Sequence, residues 1–234
     1  MLKLSPLTKF SVIAVLAIAA NGVAVGAEDD FSCGALTNAY GPFDYRSDKD
    51  KLGIVEGAHF TPSVENLTRG NAGYIGGDLD YTLRAFPNHH RALMSVMRYG
   101  EKRHSDHPTD LRYSVGCYFN RALRFRPDDD TARMIYGIYL SKKGRNKEAL
   151  EQLNSIQTPN DDNANLHYNL GLLFLKLGDQ KKSLAHAQKA YQLGFPLPGL
   201  RDKLKRAGIW KEPEPIKREA LTEEQTEAVP VPKQ

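Results

Sequence analysis

Between residues 134 and 190 the sequence repeats itself at a fixed step. MIYGIYLSKKGRNKEALEQLNSI (134–156) lies over YNLGLLFLKLGDQKKSLAHAQKA (168–190). Gly137 and Gly171, Gly144 and Gly178, Leu150 and Leu184, and Ile156 and Ala190 are each 34 residues apart. A period of this length marks stacked supersecondary units, none of which can bury its apolar face alone. Each unit reads as an apolar helix, a turn carrying Gly, and a second helix. Gly144 and Gly178 fall where a helix ends on a left-handed residue. Gly137 and Gly171 fall in mid-helix, where Gly costs about 1 kcal/mol relative to Ala. That cost predicts a neighbouring helix packed too closely for a side chain.

An earlier, imperfect copy emerges when Pro87 is set over Pro127. Ala92, Met94 and Tyr99 then meet Ala132, Met134 and Tyr139. The step there is 40 residues, which places an insertion at the turn 104–110 (HSDHPTD). Pro108 breaks the chain, and Asp110 is positioned to cap a helix running to Phe125. Three units result, at about 90–129, 130–163 and 164–197. A half-unit, Asp78 to Phe86, precedes them. A capping helix, Gly199 to Ala207, follows Pro196 and Pro198.

Leu170-Gly171, Tyr136-Gly137, Phe174, Ala149, Ala187 and Ala190 fill signature positions of the tetratricopeptide repeat (TPR), and the chain resembles that family across these units. It departs from the pattern where Arg133 and His167 stand at the signature Trp position and Ser183 at an Ala. The resemblance implies an all-α fold. The expected architecture is a short TPR-like α-solenoid of about three helical hairpins plus a capping helix, with an irregular N-terminal extension and a disordered C-terminal tail.

The flanks differ in composition. Residues 1–27 read as a secretory signal peptide. Lys3 and Lys9 precede the apolar run Phe10–Ala20, and small residues lead to cleavage after Ala27. Residues 28–77 form an irregular Gly/Tyr-rich segment in which Ser63 is placed to cap one helix to Arg69. Tyr40, Phe43 and Tyr45 are expected to pack on the first helices. Residues 78–210 form the TPR-like domain. The tail, 211–234, is Pro-rich and poor in large apolar groups, a composition that favours disorder. The N-terminal block also resembles that of bacterial envelope TPR proteins, and with the signal this implies a periplasmic location. Export favours a disulfide between Cys33 and Cys117. Closing so long a loop restricts the unfolded chain by at most about 4.6 kcal/mol.

The net charge is +4, with 26% charged and 41% hydrophobic residues. No dense basic stripe calls for nucleic acid, and no stretch calls for stable membrane insertion once the signal is removed. The Gly-rich stretch 70–77 matches no phosphate-cradling motif and reads as a loop. His104 and His107 straddle a turn, but no HExxH or paired CxxC supports a metal. His167 takes a core position in its helix. No catalytic constellation, metal or cofactor is expected.

In TPR proteins, certain positions of each first helix line a concave groove. Carried over by the repeat alignment, these are Arg91, Met94, Arg98 and Lys102, then Met134, Ile138 and Ser141, then Asn165, Tyr168, Asn169, Leu172 and Lys176. Lys203 and Arg206 of the cap close one end. Basic rims around an apolar floor suit an extended or helical, acidic protein segment. The dicarboxylate clamp of chaperone-tail-binding TPR proteins is absent, because Met134 and Tyr168 stand at its positions. The reading is a periplasmic protein-protein interaction module, an adaptor in envelope assembly or secretion. The alternative is an enzyme or metal-binding protein with its site around Glu56, His59, His89 and His90.

Overall fold

A computed structural model describes residues 33–156 and 162–213. The signal-peptide expectation and the tail beyond residue 213 lie outside the described residues. Among the described residues the secondary structure is ten α-helices, with no strand. They are α1 (Lys49–His59), α2 (Pro62–Glu65), α3 (Ile75–Ala85), α4 (His90–Lys102), α5 (Val115–Phe125), α6 (Asp130–Lys142), α7 (Asn146–Asn154), α8 (Ala164–Lys176), α9 (Gln180–Gln192) and α10 (Gly199–Arg206).

The repeat seen in the sequence is visible in the helix starts. Helices α6 and α8 begin 34 residues apart, as do α7 and α9; α4 and α6, and α3 and α5, begin 40 apart. Helix α4 packs on α6, α6 on α8, and α8 on α10, while α3, α5, α7 and α9 pack beside them. Helix α6 has neighbours on several sides and is accordingly buried on more than one face, at Ala132, Met134, Ile135, Gly137, Tyr139 and Leu140.

The turn chemistry follows the Gly positions. Gly144 and Gly178 have φ of +74° and +86°. Beyond each, the chain closes back on the helix: Arg145 N–H donates to Leu140 O at 2.9 Å, and Asp179 N–H to Phe174 O at 2.9 Å. Helix α4 ends with the same motif but without Gly. His104 takes φ +49° and Ser105 N–H donates to Gly100 O at 3.1 Å. The mid-helix glycines mark close contacts. A Cβ on Gly137 would stand 2.8 Å from Leu153 Cδ2, and one on Gly171 would stand 2.5 Å from Leu200 Cδ2 and 3.3 Å from Ser183 O. Ser183 Oγ in turn donates to Gly171 O at 2.8 Å, so α8 and α9 meet backbone to side chain.

The structure corrects four local expectations. Ser63 does not cap a helix to Arg69. Thr61 stands at the N-cap, Pro62 opens α2, and the helix stops at Glu65 before Leu67 turns into the left-handed region at φ +58°. Asp110 does not cap α5. That helix starts at Val115, and Ser114 Oγ accepts from Cys117 N–H. Helix α1 occupies what reads as loop, because Gly53 and Gly57 dilute its pattern and only Val55 on it is buried. The Gly-rich stretch is loop as far as Tyr74, but Gly76 and Gly77 belong to α3.

The N-terminal block is part of the helical body. Phe60, Val64 and Leu67 lie in the main core with Leu79, Leu93 and Phe119. Tyr40, Phe43 and Tyr45 pack with Val55 and Phe86 in a second cluster. Cys33 and Cys117 form a disulfide with Cα atoms 5.1 Å apart. Beside it Arg121, 1% exposed, donates to Cys33 O at 3.0 Å and Ala35 O at 2.7 Å and lies 4.6 Å from the Tyr113 ring centroid. Segment 33–35 is thus held both covalently and by a buried cation.

Two substitutions test this packing in opposite directions. Gly171→Ala improves helix propensity yet must displace Leu200, and it is expected to lower stability by about 1–3 kcal/mol in urea unfolding. His104→Gly relieves a left-handed side chain and is expected to raise stability by up to about 1 kcal/mol. A stabilised Gly171→Ala or a destabilised His104→Gly would contradict the geometry.

Candidate functional site

The face shared by α4, α6 and α8 carries a cavity of about 220 Å³ lined by His90, Arg91, Met94, Met134, Ile135, Ile138 and Asn169. Each of the three helices contributes at least one side chain. Five of the expected groove residues meet here: Arg91, Met94, Met134, Ile138 and Asn169. The walls are mostly apolar, with two methionines that can adapt to differently shaped occupants.

The other expected residues have different surroundings. Tyr168 and Leu172 pack against the capping cluster of Leu200 and Leu204, and the Tyr168 ring stacks on Phe195 at 4.1 Å. Asn165 receives the Asn169 amide at its carbonyl and its side-chain oxygen. Ser141 is buried. Lys176, Lys203 and Arg206 are exposed.

The basic rim of the first unit has internal partners. Arg91 forks onto Glu65 and reaches Glu56 Oε1 at 3.2 Å. Arg98 donates to Glu65 O at 3.0 Å, and Lys102 Nζ donates to Leu67 O at 2.7 Å. Helix α2 and the turn after it therefore sit against α4 and take up all three cations. The sequence expectation of an acidic partner counted these three groups together with Lys176, Lys203 and Arg206, which stay exposed.

Behind His90 lies a junction of buried polar groups. The α3–α4 and α5–α6 connections are equivalent in the repeat, and Asn88 and His89 of one correspond to Asp128 and Asp129 of the other. The Asn88 amide donates to Asp44 Oδ1 at 2.7 Å and Asp129 Oδ2 at 2.8 Å, and its oxygen accepts from Tyr45 N–H at 3.0 Å. Arg46 and Arg126 neutralise Asp44 at 3.0 and 3.1 Å. Asp129 caps α6 through Ala132 N–H at 2.9 Å and holds His90 Nε2 with both carboxylate oxygens at 2.9 Å. Burial works against the Asp129 charge, yet His90, Ala132 N–H and Asn88 together hold its carboxyl below the ordinary range.

The four residues of the alternative site do not converge. His89 is buried; its Nδ1 accepts from Ala92 N–H at 3.2 Å, so Nε2 carries the proton donated to Glu56 Oε1 at 3.0 Å. Both ring nitrogens are spent on helix capping and an ion-pair partner. His59 Nδ1 faces Asp78 Oδ1 at 2.9 Å and its ring stacks on Tyr81, while His90 belongs to Asp129. Among the described residues, no three His, Cys, Asp or Glu side chains are grouped to hold a metal ion. His104 serves as a backbone turn and His107 Nε2 lies 3.2 Å from Leu111 O. The cavity walls include a His held by a carboxylate but no hydroxyl or thiol, so they do not assemble a nucleophile for acyl transfer.

Sequence reasoning missed Asn88, Asp44 and Glu65. The alignment of Pro87 with Pro127 already set Asn88-His89 over Asp128-Asp129, two polar pairs in matching turns. That was the available signal for the junction. Compared with known proteins, the chain matches no family model, no curated protein and no solved structure.

The histidines set a pH dependence of stability. Burial pushes His89 below its ordinary 6.5, and burial with the neighbouring His167 brings His186 down to about 4. The unfolded chain takes up these protons first, so the stability is complete above pH 6.5 and is lost as the pH falls through it. Each group adds a slope approaching about 1.4 kcal/mol per pH unit. Glu56, held low by His89, and Asp129 begin to titrate unfavourably only below about pH 4.5. The melting temperature is therefore expected to fall steadily between about pH 7 and pH 5. A flat profile over that window, read by circular dichroism, would refute the assignment.

Proposed function

We propose that the protein is a TPR-like interaction module of the periplasm. It binds a segment of another protein in the α4–α6–α8 cavity and serves as an adaptor in envelope assembly or secretion. The observation that carries this reading is the convergence on one cavity of Met94 from α4, Met134 and Ile138 from α6, and Asn169 from α8, three helices spaced by the repeat. Repeated helix pairs expose equivalent positions on one face, and an apolar side chain of an extended or helical partner fits walls of this kind. With Arg91, Arg98 and Lys102 already paired, the partner is anchored by an apolar side chain rather than by acidic ones. The Cys33–Cys117 disulfide is consistent with an oxidising compartment. Among the described residues, no helix is long and apolar enough to cross a membrane.

Site-specific crosslinking tests the proposal. A photo-crosslinker at Ile138 is expected to capture a discrete partner from periplasm, and Met94→Glu is expected to reduce that yield at least about tenfold. Lys203→Glu with Arg206→Glu, remote from the cavity, is expected to leave it unchanged. Equal capture from Ile138 and from the exposed cap, or no effect of Met94→Glu in a normally folded chain, would remove the cavity from consideration.

A further inference from the structure

The walls of the α4–α6–α8 cavity carry two thioethers and one imidazole. The chain has four methionines, and two of them, Met94 and Met134, line this cavity beside His90. His90 and Met94 are four residues apart on α4 and share a face. Helical side chains lean toward the N-terminus, so Met94 extends over the turn that carries His90. Met134 comes from α6, which packs on α4, and it is the repeat equivalent of Met94.

The His90 ring is set up as a metal ligand. Nε2 lies 2.9 Å from both oxygens of the buried Asp129 carboxylate. A carboxylate there fixes the proton on Nε2, and Nδ1 of the neutral ring keeps its lone pair. Nδ1 has no hydrogen-bond partner among the described residues, and the His90 side chain is 21% exposed, so the nitrogen is open to a ligand. Its neighbour His89 differs, with both ring nitrogens spent inside the fold. Asp129 is itself anchored by Asn88 and by Ala132 N–H, which sets the direction of the His90 ring from behind. Arg91, the cation on the rim, is paired with Glu65 and Glu56 and so adds little repulsion toward a bound cation.

The donor set selects among ions. Zinc takes nitrogen, thiolate and carboxylate donors and passes over thioethers. Calcium and magnesium require oxygen. Thioether sulfur is soft and uncharged, and together with imidazole it suits a soft monovalent ion, copper(I). Ile135 and Ile138 make the remaining walls apolar, which disfavours strongly hydrated ions. We propose that the cavity binds one copper(I) ion through His90 Nδ1 and the Sδ atoms of Met94 and Met134. The ion site shares its cavity with the protein segment proposed above but does not rest on that reading, because it uses the nitrogen and sulfur atoms and not the apolar shape.

Anaerobic titration of the full chain with copper(I), against bicinchoninate as competitor, tests this. Ascorbate serves as reductant because it carries no thiol to exchange with the Cys33–Cys117 bridge. One equivalent is expected to bind, silver(I) is expected to compete for it, and zinc is not. Met94→Leu and Met134→Leu conserve volume, and each is expected to weaken binding at least about tenfold, as is His90→Gln. Met97→Leu changes a buried methionine of α4 outside the cavity lining and is expected to leave affinity unchanged. Absence of saturable binding at about 10 μM protein would overturn the proposal. So would affinity untouched in the Met94→Leu, Met134→Leu double variant, or weakened as much by Met97→Leu. Leucine keeps the walls apolar, so capture of a partner from Ile138 is expected to survive in the double variant. Copper binding without capture, or capture without copper binding, therefore tells which of the two readings fails.

Discussion

One amide holds the molecule's polar centre together. Asn88 spends both of its N–H groups on the carboxylates of Asp44 and Asp129, two buried charges from distant parts of the chain. Without a donor between them the carboxylates would repel, and an unpaired buried charge is strongly destabilising. Arg46 and Arg126 supply counter-charge from the rim. The N-terminal segment, the α3–α4 turn and the α5–α6 turn are consequently fixed to one another. Asp129 then does two more things, capping α6 and orienting His90 at the wall of the cavity. The position of that wall depends on a polar contact behind it as much as on the apolar packing around it.

The N-terminal block changes the character of the face it adjoins. Taken alone, α4 presents Arg91, Arg98 and Lys102 along one side. Glu65 and the carbonyls of Glu65 and Leu67 neutralise or occupy these groups. Phe60, Val64 and Leu67 meanwhile extend the main core past α4. The block is a structural wall, and the surface left beyond it is narrower and less basic than the helices themselves would give.

How much of this was legible in the sequence depended on the type of constraint. Gly144 and Gly178 were readable because a left-handed cap nearly demands glycine. Gly137 and Gly171 were readable because only close packing justifies a mid-helix glycine. Arg91, Met94, Met134, Ile138 and Asn169 were reached by carrying the groove positions of TPR proteins along the repeat, whereas His90 and Ile135, which also line the cavity, were not. Helix α1 was not readable: it buries a single valine and carries two glycines, so neither periodicity nor propensity announces it. Nor was the fate of Asp110, which bonds Gly76 and Tyr99 across the fold instead of capping the next helix. The partners of Arg91 and Asn88 lie 26 to 44 residues away, and a local pattern contains nothing about contacts of that range.

The bridge from Cys33 to Cys117 spans a sequence separation of 84. A polypeptide emerging from its N-terminus presents Cys33 early and must wait for α5 before the ring can close. Helices α1 to α4 all lie inside that ring, so they have to find their places before or while it shuts. Helices α6 to α10 lie outside it, held by packing and hydrogen bonds rather than by the covalent ring. Among the described residues the molecule is thus a sealed hoop with a helical stack attached to it.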